Sequence, residues 1–404
     1  MKTKKNLSII FLMFLFGSCG DNKTSVSDPN VEVINIDPHT VDEFMNLSEI
    51  VDSVKYIKLQ IDPKDVMGDV REIVIKEKYI YAIDLSQFFL FVFDKEGKFV
   101  AKLDKRGQGP DEYISMGAVF IDDNEEYIEF PDMSSRKMKK YTNITFELIE
   151  NLSVPRITYD IGKKNSGYYY FITHQNDNTI NGKETNAELI ILDEKNNLKT
   201  HFEKKINTNH TYFMVSTENF TKNDKNELFL SPMYSNTFYK LEGEEVIPVI
   251  TIDFGKYGMD NNSIGLLSNT EQMDYIRKMN NLASFPVLNI NNSDIMSFSY
   301  FFKKEGGRWN RLSDIYQYIK FKKSNKIYHV NKIKNDITDF PKNISIDPLS
   351  CAHEHLYDDY LVEIVKPGNY FSDEELGERI FVEGLGEITA EDDPIIVLMK
   401  LKKR

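Results

Sequence analysis

Repeated clusters of short β-type runs, a last cluster one strand short, and a spare run ahead of the first cluster predict an all-β chain. The fold they specify is a six-bladed β-propeller of four-stranded antiparallel blades, its ring closed by an N-terminal strand. One helical inter-blade insertion interrupts the pattern.

The first complete unit spans residues 71–103 and reads REIVIK, YIYAID, FFLFVFD and KFVAKL. Its connections are Glu77-Lys78, Leu85-Ser86-Gln87 and Lys95-Glu96-Gly97, short polar or glycine-bearing turns between aromatic and β-branched runs. Comparable units occupy 117–150, 156–203 and 213–252, and a stretched one of three runs covers 294–333. The sixth supplies runs at 355–365 and 394–402 only. Val54 to Gln60 (VKYIKLQ) precedes the first unit without a local partner. A propeller removes its exposed edge by letting such a strand complete the last blade, so the missing and spare strands belong together. Between the fourth and fifth units, Ser263 to Ala283 carries Ile264, Leu267, Tyr275, Met279 and Leu282 near one stripe. Ser268 followed by Glu271 has the spacing of a capping box, and a surface helix is expected there.

The first residues stand apart from the fold. Lys2, Lys4 and Lys5 precede the apolar run Leu7 to Phe16, which ends in Gly17-Ser18-Cys19. That run is too short to cross a hydrocarbon core of ~30 Å, which needs about 20 residues. Residues 1–18 therefore read as a signal peptide and Cys19 as a lipid-bearing first residue, with Leu15 to Cys19 resembling a lipobox in which Phe16 departs from the usual pattern. Residues 19–30 form a polar tether, and 31–404 the propeller. The expected location is the outer membrane, facing periplasm or cell surface, with the lipid on Cys19 as the membrane partner and the protein itself a monomer.

With Cys19 lipidated, only Cys351 remains, so no intrachain disulfide forms and the core must carry stability. Without the leader the chain holds 47 basic and 63 acidic residues, a net charge of −16, which disfavours nucleic acid as a partner. The 22 Tyr and 27 Phe suit sheets and also surfaces that bind carbohydrate or peptide.

Three segments carry candidate chemistry. On an extended strand Cys351, His353 and His355 share one face, a donor set suited to zinc or copper. The insertion Pro367 to Asp393 holds nine acids against Arg379, a composition that could hold calcium although no known ligand spacing is present. Arg308 and Trp309 are typical recognition anchors, and strand parity places their loop, the helical insertion and the acidic insertion on one end of the ring as a ligand-binding rim. No G-x-S-x-G, H-E-x-x-H, Walker or Rossmann pattern is present. A binding or scaffold module for a protein, peptide or glycan is the reading. The alternative is a carbohydrate-active hydrolase or lyase, which would need paired carboxylates in the channel.

Residues Arg106 to Tyr113 (RGQGPDEY) read as a corner between blades. Gly107 and Gly109 allow φ > 0, Pro110 fixes φ, and Asp111 and Glu112 can accept freed backbone N–H groups. Together with Phe91 to Lys98 (FVFDKEGK) and Val51 to Leu59 (VDSVKYIKL), this segment resembles the 6-bladed β-propeller lipoproteins of diderm bacteria, whose first blade ends in G-x-G-P-x-E-Y. The resemblance implies the fold and export, and no activity.

Overall fold

The computed structural model describes residues 31–402, except 63, 69, 155–159, 165–166, 173–177, 181, 186, 196, 204–218, 233–234, 261–266, 279, 305–314, 339, 342, 345–355 and 372–378. The leader, Cys19 and the tether lie outside the described residues.

Six antiparallel sheets form the six blades of a propeller. Blade 1 consists of Val70–Ile75, Ile80–Asp84, Phe89–Phe93 and Phe99–Leu103, from the channel outward. Blade 2 consists of Phe120–Ile121, Tyr127–Asp132, Lys137–Thr142 and Leu148–Ser153. Blade 3 consists of Asp160–Lys164, Tyr168–Ile172, Ala187–Asp193 and Leu198–Glu203. Phe220–Lys222, Leu228–Leu230, Thr237–Glu242 and Glu245–Asp253 make blade 4. Blade 5 runs through Leu282–Asn291, Ile295–Lys303, Ile315–Phe321 and Ile327–Val330. Leu356–Tyr357, Tyr360–Val365 and Ile395–Leu401 are the three C-terminal strands of blade 6.

The fourth strand of blade 6 is N-terminal, as the sequence requires. Three strands precede blade 1: β1 (Glu32–Asn35), β2 (Met45–Asn46) and β3 (Val51–Lys58). β3 pairs antiparallel with Ile395–Leu401, from Val51 opposite Leu401 to Lys58 opposite Ile395. The strand starts and ends slightly before the expected Val54 to Gln60. Gln60 instead bridges to Lys98 of blade 1, its N–H donating to Gly97 O at 2.8 Å. Gly97 has φ +84°, and a Cβ there would lie 2.4 Å from Lys58 O, so only glycine fits where the closing strand meets the first blade.

Residues ahead of β3 extend this closure into a strap. β1 lies parallel on the outer strand of blade 4, Glu32 opposite Ile250. Asp42 bridges to Val330 of blade 5, and β2 pairs with Ile333–Lys334 just beyond it. Ser48 then donates its N–H and hydroxyl to Asp336 at 2.8 and 2.5 Å. The segment 31–60 thus touches blades 4, 5, 6 and 1 in turn.

Apolar residues alternate along the strands and fill the gaps between neighbouring blades as six clusters of described residues. Buried carboxylates fix the corners. Asp132 accepts from the N–H groups of Ile114, Ser115 and Ser135, and Asp84 does the same for Gly68, Ser86 and Gln87. Desolvation pushes both carboxyls up, but side-chain hydrogen bonds from Ser86 and Gln87 to Asp84 and from Ser135 and Ser115 to Asp132, together with these N–H groups, outweigh it and hold them below the ordinary range.

Glu112 closes the RGQGPDEY corner by accepting from Gly109 N at 2.6 Å, whereas Asp111 turns to Lys105 at 3.3 Å. The glycines serve a different purpose from the one expected. Neither has a positive φ; a Cβ on Gly107 would strike the Glu112 carboxylate at 1.9 Å.

α1 (Asn269–Lys278) joins blades 4 and 5, with the Glu271 carboxylate accepting from Ser268 N at 2.9 Å. The helix is shorter than the segment 263–283, because Leu282 onward is the inner strand of blade 5.

Candidate functional site

Strand parity gives the ring two unlike ends. Connections from first to second and from third to fourth strands are two to five residues long and emerge on one end, called here the turn end. Many are closed by an Asp or Asn that begins the turn. Asp94, Asp193, Asn223 and Asn292 each accept backbone N–H groups two to four residues on, at 2.8–3.0 Å. The opposite end carries the insertions: a hairpin Asn178–Ile180/Lys183–Thr185 in blade 3, α1, and the blade 6 segment with α2 (Pro367–Tyr370) and the hairpin Arg379–Val382/Gly386–Thr389.

The turn end holds a cavity of about 510 Å³ at the channel mouth, reaching between blades 2 and 3. Its charged wall comes from four blades. Lys76 follows the inner strand of blade 1, Lys163 lies near the end of that of blade 3, and Lys222 ends that of blade 4. Lys140 projects from the third strand of blade 2. All four are half-buried.

Lys163 is the best enclosed. It contacts Glu129, which is only 2% exposed and whose other oxygen accepts from the Tyr169 hydroxyl at 3.0 Å. Its ammonium lies 5.4 Å from the Tyr127 ring centre and 5.6 Å from that of Tyr169. Burial pushes the Lys163 ammonium down to about 8, and Lys222 acts in the same direction against Asp122, Asp123 and Glu194. Desolvation also raises the Tyr127 hydroxyl, with Asp122 adding to it by charge and hydrogen bond, and the Tyr169 hydroxyl.

Lys140 is held differently. Its ammonium sits 3.7 Å over the Tyr127 ring. Its register neighbours are Glu129 and Glu150, yet Glu129 is turned to Lys163 and Glu150 lies exposed at the rim. Among the described residues Lys140 has no ion-pair partner.

The residues singled out from sequence fare unevenly. Arg308 and Trp309 lie outside the described residues; Lys303 and Ile315, which flank that stretch, stand at the insertion end. Cys351, His353 and His355 also lie outside them, immediately before the inner strand of blade 6. Among the described residues no group of three or more His, Cys, Asp or Glu is placed to hold a metal ion. Three of the five described acids of the 367–393 insertion face separate partners: Glu387 pairs with Arg379 at 3.3 Å, Asp392 with Lys58, and Asp393 accepts from Ile61 N at 3.4 Å.

None of Lys140, Lys163, Tyr127 or Tyr169 stands out in the sequence. A signal exists once strands are aligned, since the inner strands of blades 1, 3 and 4 end in or run into lysine (IVIK, DIGKK, FTK).

A family model described as a domain of unknown function, DUF4934, matches residues 31–400. No curated protein matches the chain in sequence. Among solved structures, a Bacteroides fragilis protein named for its inferred export is 18% identical, with a TM-score of 0.67 over 92% of this chain and 100% of that one. A member of the DUF4221 family from Bacteroides vulgatus is 9% identical, with a TM-score of 0.49 over 87% of this chain and 97% of that one. The first likeness is one of fold.

Proposed function

This chain belongs to the DUF4934 family, and from that premise we propose that it is an exported, lipid-anchored propeller that binds a protein, peptide or glycan at the turn-end mouth of its channel. One observation carries the binding role: a cavity walled by half-buried lysines from four blades and by two tyrosine rings, in a chain whose net charge is −13. Cavities lined by apolar and aromatic groups with a few convergent charges are the usual form of ligand sites. Two buried carboxylates stand at this cavity, Glu72 in its lining and Glu129 beside it, and Glu129 is committed to Lys163 and Tyr169.

Export and anchoring rest on the leader and on Gly17-Ser18-Cys19, and the export inferred for the Bacteroides fragilis relative agrees with them. The proposed location is the outer membrane. Cys19→Ala should release the exported protein from the membrane fraction, and a variant that sediments like wild type contradicts the anchor.

The binding role is tested on peptide and glycan arrays with residues 31–404, the Tyr127→Ala variant and the Trp309→Ala variant. Ligands retained by wild type and Trp309→Ala but lost by Tyr127→Ala locate recognition to the cavity. Ligands lost only by Trp309→Ala place it at the insertion end instead.

A further inference from the structure

We propose that the cavity takes a ligand through a single carboxylate seated on Lys140, with an apolar ring or chain of the ligand lying against Tyr127 and Phe120. The inference rests on the binding role proposed above and adds the chemistry of the ligand.

The charges of the cavity wall are unequally compensated. Lys163 is answered by Glu129, and Lys76 has Asp123 at 3.8 Å. On the acidic side, Asp122 accepts the N–H of Asn124 at 3.0 Å, Glu129 is engaged by Lys163 and Tyr169, and Glu72 lies buried in the inner strand of blade 1. Lys140 keeps only an aromatic face, although two glutamates are its register neighbours. A half-buried ammonium that leaves both neighbouring carboxylates to other roles has lost part of its hydration without an anion to replace it. A ligand anion supplies that replacement, as a charge-assisted hydrogen bond in a partly water-excluded site.

The surroundings limit what else the ligand carries. Phe120, Val74, Ile121, Ile161, Phe220 and Leu228 supply apolar wall, so the anion is attached to a body with an apolar face. A multiply charged phosphate is disfavoured, because Asp123, Glu150 and Glu194 ring the opening. Such a carboxylate comes from an acidic sugar or from the C-terminus of a peptide. Both present the same group to Lys140.

Calorimetric titration separates the sources and tests the claim. The probes are sodium glucuronate and acetyl-Phe-Ala with a free C-terminus, against methyl glucoside and acetyl-Phe-Ala amide. We expect at least one carboxylate to bind about tenfold or more tighter than its neutral counterpart. Lys140→Met should remove that difference and Lys140→Arg should keep it, with melting temperatures unchanged in both. Neutral and anionic probes binding alike would overturn the carboxylate while leaving the cavity as a binding site. Binding of the carboxylate unaltered by Lys140→Met would overturn the seat. Absence of binding by all four probes overturns the proposal.

Discussion

Among the described residues, blades 5 and 6 meet through twenty buried apolar side chains, several of them contributed by the N-terminal strap, whereas blades 2 and 3 meet through six. Where the second core stops, Glu129, Lys163, Lys140 and Tyr127 take over, and the space they leave is the cavity. The contrast separates two tasks. A ring needs a seam tight enough to resist opening, and here strand β3 and the strap provide it. Once closure is secured there, another interface can trade apolar packing for charge and volume, as sites commonly do at some cost in stability.

The ring depends most on the strap seam. Deleting residues 394–404 removes Ile395–Leu401 and leaves β3 without a partner, so the domain should lose its cooperative thermal transition. A cooperative melt near the wild-type midpoint contradicts the closure.

Single substitutions sharpen it. Met399→Ala, at a position 1% exposed in the strapped seam, should cost about 2–5 kcal/mol in denaturant unfolding. Glu129→Met should cost about 3 kcal/mol because it strands a buried lysine, and adding Lys163→Met should restore most of the loss. If the double variant is no more stable than the single one, the two charges do not form a unit.

Alkaline pH probes the same pair. Burial holds the folded-state Lys163 at about 8, below its ordinary 10.5, so the charged lysine opposes folding below about 8 and this penalty is lifted as pH rises towards 10.5. Glu129, Asp122, Asp123, Glu194, Tyr127, Tyr169 and Lys222 face it. Between pH 7 and 9.5 the wild type should therefore gain stability relative to Lys163→Met, and parallel curves would contradict the shift. The smallest effect belongs to Lys140→Met, whose unfolding free energy should change by less than about 0.5 kcal/mol.

The blade count and its closure were legible because strand period and turn chemistry are local. The exceptions have local causes too. Leu282–Asn291 escapes as a strand because Pro286 and Asn289 interrupt it, and the backbone bulges there, with Phe285 at φ +54°. Residues 355–365 read as one run, yet Asp358 at φ +52° folds them into two strands. β1 is a four-residue strand pairing with residues more than two hundred positions away, which no local pattern announces. The cavity was hidden for the same reason. Long insertions drew attention to Trp309 and the acidic loop, while the lysines sit on short, regular strands and converge only through the ring.

The most direct test is a crystal of residues 31–404 soaked in p-bromobenzoate, which joins a carboxylate to an apolar ring and locates itself by bromine anomalous scattering. The account predicts a bromine peak inside the cavity beside Tyr127, with the carboxylate within hydrogen-bonding distance of Lys140 Nζ. A peak at the insertion end, or a cavity occupied with the carboxylate turned away from Lys140, would contradict it.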